Sequence, residues 1–247
     1  MKILVCISNV PDTTTKIVIG PDGKSINSAG IQWIINPWDE LALTRALELK
    51  DAGKVTEVVV ANVGTNLTEA TLRKALATGA DRAIRINAEP ADAWMVAANL
   101  AEVVKAENFD IILSGIESSD YNGSVVGGLL AGMLDMNLIS SVSALDIEGD
   151  KLKVQREIDG GKEMLETIAP VLLVVQKGIA IVPRIPSMRG IMQARTKPLQ
   201  TVEAVSTENL TETVELANPP AKGKCKMIDA DNAGEVIRLL REEAKAL

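Results

Sequence analysis

Histidine is absent from the 247 residues. That removes the commonest general base, and with it any Ser-His-Asp triad or His-ligated metal. Aromatic side chains make up only 2% (Trp33, Trp38, Trp94, Tyr121 and Phe109), and the formal charge is −7. A nucleic-acid binder built on stacking needs the reverse of both. The two cysteines, Cys6 and Cys225, lie far apart and form no metal or redox motif, which fits a reducing cytoplasm. No apolar run reaches the roughly 18 residues of a membrane helix. Met1 to Cys6 enters a strand at once, which predicts no signal peptide. Acid–base chemistry would fall to Asp, Glu, Lys or Tyr, and no carboxylate pair is spaced for it.

One further absence is local. Between Thr167 and Val202 there is no Asp or Glu, while Lys177, Arg184, Arg189, Arg195 and Lys197 all fall there. Pro183, Pro186 and Pro198 argue against a regular helix or central strand, so a loop is expected over 182–198. Ile185, Met188, Ile191 and Met192 stand among the charges. Methionine adapts to varied surfaces and charge steers encounter, so the segment reads as a docking surface for an acidic partner. A crossover loop with solvated arginines is the plainer alternative, and composition alone leaves both open.

Along the chain, short apolar runs alternate with helical patterns. Strands are expected at Ile3–Ser8, Lys16–Ile19, Val55–Asn62, Arg82–Ile86 and Asp110–Ser114, with the chain returning from its excursion through Ile31 to Ile35. Helices are expected from Pro37 to about Lys50, Leu67 to Thr78, Ala91 to Ala106 and about Ser124 to Leu134. Asn36 suits an N-cap, with Pro37 at the first helical position and Asp39 at the third. Such alternation implies right-handed crossovers and an α/β fold: a Rossmann-like, mostly parallel sheet with helices on both faces. After residue 135, runs at 142–147, 151–158, 162–167 and 170–175 with Gly/Asp turns predict an antiparallel extension. Residues 1–200 form the expected nucleotide-binding domain. Residues 201–247 form an extended arm, broken at Asn218-Pro219-Pro220, with a helix over 229–247.

Ligands of such sheets bind beyond the strand carboxyl ends, where strand order reverses. Here those ends are Cys6 to Asn9, Asn62 to Thr65 and Ser114 to Gly115, with the Asn36 cap facing the same crevice. The strand–loop–helix segment from Asp110 to Ser124 offers small residues and backbone N–H groups for phosphate. It lacks the Gly-Lys-Ser/Thr of a P-loop and the Gly-x-Gly-x-x-Gly dinucleotide fingerprint, so a plain connecting loop is also compatible. Val126-Gly127-Gly128 most simply allows close helix packing.

Taken together, several segments carry a resemblance. They are Lys2-Ile3-Leu4-Val5-Cys6, Asn36-Pro37-Trp38-Asp39-Glu40, Gly79-Ala80-Asp81-Arg82-Ala83 and Asp110 through Gly115. Val154 through Glu163, with its Arg-Glu-Ile-Asp-Gly-Gly turn, and Pro183-Arg184 through Pro198 complete the set. The chain resembles the β subunit of electron transfer flavoprotein over essentially its full length. The resemblance implies a heterodimer with an α subunit that holds most of a redox FAD, one side of which this chain would wall. It implies an electron carrier and not an enzyme with catalytic residues of its own. Electrons would come from acyl-CoA dehydrogenase-type donors and pass to a quinone-reductase-type acceptor. It implies an AMP site at Cys6, Asn36, Pro37, Trp38, Asp39, Val63, Gly115, Asp120, Tyr121, Asn122, Gly123, Ser124, Val125 and Val126. Glu157 takes the place of a carboxylate that restrains the flavin domain through an α-subunit arginine. Arg184, Ile185, Met188, Arg189, Ile191, Met192, Arg195 and Lys197 match the donor-recognition loop, with Met188 at the apolar anchor. The arm and terminal helix would pack on the partner subunit. Gly123 to Val126 lack most of the hydrogen-bonding side chains usual there, which leaves AMP or a second, bifurcating FAD open as occupant. A non-redox nucleotide-binding regulatory module is the third reading.

Overall fold

The computed structural model describes residues 1–247. Val-, Ile- and Leu-rich runs without polar alternation become strands buried on both faces, as a sheet covered by helices on each side requires. The strands are β1 (Lys2–Cys6), β2 (Asn9–Pro11), β3 (Trp33–Ile35), β4 (Glu57–Val63), β5 (Arg82–Asn87), β6 (Ile111–Gly115), β7 (Asn137–Glu148), β8 (Lys151–Ile158), β9 (Gly161–Ile168), β10 (Val171–Val175) and β11 (Leu199–Glu203). The helices are α1 (Pro37–Asp51), α2 (Glu69–Thr78), α3 (Ala93–Ala106), α4 (Val126–Met133), α5 (Met188–Ala194) and α6 (Ala233–Glu242).

Nine strands form one sheet in the order β11-β5-β4-β1-β6-β10-β7-β8-β9, and β2 pairs with β3 apart from it. From β11 to β7 every pairing is parallel, while β8 and β9 add antiparallel hairpins. On one face Ile3, Val5, Val58 and Val60 pack with Leu43 and Leu47 of α1 and Leu72 and Leu76 of α2. On the other, Leu4, Val59, Ala61 and Ile112 pack with Leu100 and Val104 of α3 and Leu130 of α4. Leu43 and Leu47 are fully buried, so truncating either to Ala costs about 2–5 kcal/mol. From β1 the chain builds outward through β4 and β5 on one side, then starts β6 on the other. The order therefore reverses between β1 and β6.

Several expectations need correction. No strand forms over Lys16–Ile19; only an Ile19–Ile26 bridge occurs, within a turn-rich excursion. β10 does not belong to the antiparallel edge but lies inside the parallel sheet between β6 and β7. Its five residues are all buried, which a continuous apolar run permits and local pattern cannot place. The 182–198 segment is not loop throughout: α5 fits between Pro186 and Pro198, with the Ser187 side chain accepting from Gly190 N–H (3.0 Å). Its prolines mark the helix's limits and do not exclude it. α4 begins at Val126, two residues late, because Ser124 adopts φ 52°.

Beyond β11 the chain crosses α3 as an extended arm. Val205 N–H donates to Asn99 Oδ1 (2.9 Å), and Leu210 and Thr211 N–H donate to Asp92 Oδ2 (2.6 and 3.0 Å). Leu216 N–H then reaches the Gly23 carbonyl (2.8 Å). α6 ends the chain with Val236, Ile237 and Leu240 exposed. No helix is long and apolar enough to cross a membrane.

Candidate functional site

The β1/β6 reversal is bridged by α1. Pro37 opens the helix, and the buried Asp39 carboxyl accepts Ser8 N–H beyond β1 (2.8 Å) and Gly115 N–H at the end of β6 (3.0 Å). Asn36 is wholly buried but makes no helix-capping side-chain bond, contrary to expectation. Its amide donates to the Glu117 carbonyl (2.8 Å) and accepts from Ser119 N–H (3.1 Å). Two neighbouring side chains thus hold the β6 loop against the β1 end, and tertiary bonding displaces the local cap. A Cβ at Gly115 would collide with Asp39 Oδ1 and Trp38 Cβ, so this approach requires glycine.

Burial pushes the Asp39 carboxyl up to about 7, against the pull of its backbone donors. The Cys6 thiol is pushed up to about 12, first by burial and then by Asp39. Cys6 and Val63 are buried at the ends of β1 and β4. Asp120 through Val125 form an exposed loop leading to Val126 at the start of α4. Asn122 and Ser124 take left-handed φ of 51° and 52°, which costs about 1–2 kcal/mol at each non-glycine position. From Gly123 to Gly128 no backbone N–H has a partner within the chain. A left-handed residue followed by a helical one turns successive N–H groups into a concavity suited to an anion, and a helix N-terminus adds its dipole. The structure so brings the sequence-predicted crevice residues to the carboxyl ends of the central strands β4, β1 and β6. Asn62, expected at a strand end of the crevice, donates to the Ile7 carbonyl (2.8 Å) and leaves Oδ1 buried without a partner.

This chain's residues fit an adenine nucleotide. Apolar Val63 and Cys6 offer a floor, and the free N–H groups before and within α4 offer donors for phosphate. Glu117 lies nearby and accepts the Ser124 hydroxyl (3.2 Å).

A second surface surrounds α5. Ile185, Met188 and Met192 are exposed, at 83%, 76% and 71%, and Ile191 less so. Arg189 and Arg195 make no ion pair within the chain, whereas Arg184 pairs with Asp51 (2.7 Å) and its N–H donates to Thr44 Oγ1 (2.9 Å). Lys197 turns inward onto the Leu76 carbonyl of α2 and the Ala80 carbonyl just past it. A groove of about 570 Å³ runs between α2 and α5, lined by Ala70, Arg73, Lys74 and Arg195 among others. Sequence reading missed Arg73 and Lys74, which lie more than 100 residues upstream, and Ile181, which is 95% exposed. Glu157, on β8, pairs with Lys162 across the hairpin (3.2 Å); the Ser143 hydroxyl and that ammonium hold its carboxyl below the usual range.

Residues 24–207 match the electron transfer flavoprotein domain. The chain is 40% identical over 223 residues to the electron transfer flavoprotein subunit beta of Syntrophomonas wolfei, covering 90% of this chain and 87% of that one. It is 36% identical to the Bacillus subtilis subunit beta over the full length of both, and 32% identical to the human one over 90% of each. With the parallel sheet, the bridged crevice and these similarities in place, the chain belongs to the electron transfer flavoprotein β-subunit family.

Proposed function

We propose that this chain is the β subunit of a heterodimeric electron carrier. Its α subunit holds most of the redox FAD, and this chain walls one side of that site. Flavin, when bound, supplies the capacity to take up and release electrons. The chain's own residues position and shield, and none makes or breaks a substrate bond. The β1/β6 crevice takes AMP, with phosphate on the N–H groups of Gly123 to Gly128 and the loop held by Asn36 and Asp39. The α5 surface docks acyl-CoA dehydrogenase-type donors, and electrons leave toward a quinone-reductase-type acceptor. Glu157 supplies the carboxylate that meets an α-subunit arginine. The exposed apolar side of α6 and the arm pack on the α subunit.

The observation that carries this reading is the pairing of an anion-ready crevice with a separate basic, apolar-tipped helix in a chain without a bond-making centre. A regulatory nucleotide-binding module would use the crevice and leave α5 and α6 idle. Reversing charge at Arg184 and Arg189 tests the docking role: reduction by a dehydrogenase slows at low salt while flavin content stays constant. Equal rates would remove that role.

A further inference from the structure

The helix that carries the docking surface has seven residues, too few to persist alone in water. Its stability must come from what it packs on, and two cations supply an unusual arrangement. Arg73 of α2 donates through Nη1 to the Ala194 and Lys197 carbonyls (2.7 and 2.8 Å), at the C-terminal end of α5. Lys197, just beyond α5, donates through Nζ to the Leu76 and Ala80 carbonyls (3.0 and 2.6 Å), at the C-terminal end of α2. A cation of α2 and one just beyond α5 therefore bond carbonyls at, and just past, the C-terminal end of the neighbouring helix, where the helix dipole is negative. The axes approach closely, because a Cβ at Gly190 would strike the Ala77 carbonyl oxygen. Ala194 is buried at the same junction. Burial also lowers the Lys197 pKa, as befits an ammonium withdrawn from solvent. Upstream, Arg184 ties the segment to Thr44 and Asp51 of α1.

We infer that Arg73 and Lys197 are positioning residues for donor docking: through these carbonyl bonds they brace α5 in one pose. The inference rests on the docking reading above and revises the role of Lys197 within it. Arg189 and Arg195, unpaired and outward, remain the cations that steer. The two roles leave different signatures. A steering charge sets the salt dependence of association, which screening weakens. A brace lowers the ordering cost of binding, and its loss weakens affinity at every salt concentration alike.

The test uses the purified flavin-containing heterodimer and an acyl-CoA dehydrogenase reduced with butyryl-CoA, with KM for the heterodimer followed against salt. Arg73→Gln is expected to raise KM about tenfold, equivalent to about 1.4 kcal/mol, with kcat and the salt slope unchanged. Arg73→Lys should recover most of the loss. Arg195→Gln is expected to flatten the slope. Amide exchange over 188–194 should accelerate in Arg73→Gln, a measurement that needs no donor. Unchanged exchange, or an unchanged KM, would overturn the bracing role; a flattened slope would make Arg73 a docking charge instead. Arg189→Glu separates the two levels. If it raises KM while Arg73→Gln does not, only the brace is wrong. If neither raises KM, docking at α5 is wrong, and the brace with it.

Discussion

Asp39 places a carboxyl in the core without an ion pair, sharing its two oxygens between Ser8 and Gly115 N–H groups. Its folded pKa, about 7, exceeds the ordinary value for aspartate, so the fold favours the neutral form. The resulting stabilisation is complete below about pH 4, declines between about pH 4 and 7 and is absent above that. The urea midpoint of the wild-type chain should therefore fall between about pH 4 and 7, by an amount corresponding to at most about 4 kcal/mol. Asp39→Asn should flatten that decline, and at low pH it should be less stable by roughly 1–3 kcal/mol because one N–H loses its acceptor. Parallel curves for the two proteins would contradict this account. Cysteine labelling gives a second check at the same scale. The buried Cys6 thiol, pushed up to about 12, should resist iodoacetamide at pH 8, while the exposed Cys225 reacts. One alkylated thiol is expected in the native chain and two after denaturation; rapid labelling of Cys6 would contradict its burial.

Among the elements, the arm is the least supported by the sheet. Asp92 caps α3 through Met95 N–H (2.8 Å) and also accepts Leu210 and Thr211 N–H, so one carboxylate secures both the helix start and the arm. Asp92→Ala should cost about 1–2 kcal/mol, as lost caps do, and should open the arm near 210 to limited proteolysis. Resistance equal to wild type would show that other contacts hold it. Deleting 221–247 should leave the sheet intact by circular dichroism yet abolish binding to the α subunit. Retained binding would remove the arm's role. The same elements show what local sequence can and cannot convey. α1 was legible because Pro37 and the apolar spacing are local signals. Asn36 holds the expected N-cap position, but its side chain makes no capping bond because its partners lie 81 and 83 positions away. α5 was missed because three prolines outweighed two turns of helix that α2 helps stabilise, through bonds spanning more than 115 residues. The interior placement of β10 follows from strand order, which no window of sequence encodes.

For the whole molecule, the parallel order and the reversal between β1 and β6 set where a crevice lies, and the strand ends expected at it, Cys6 to Asn9, Asn62 to Thr65 and Ser114 to Gly115, were legible in the alternation of strands and helices. The α5 surface was legible as charge and apolar content, but its rigidity was not. Both surfaces follow one division of labour: a bound group carries the electrons, and the protein supplies position and electrostatics. The most direct test is to co-express the chain with its α subunit, purify the complex, denature it and quantify the released nucleotides. One FAD and one AMP per heterodimer is the predicted result. A complex without flavin, or no complex, would contradict the electron-carrier account; two FADs without AMP would contradict the AMP assignment of the crevice.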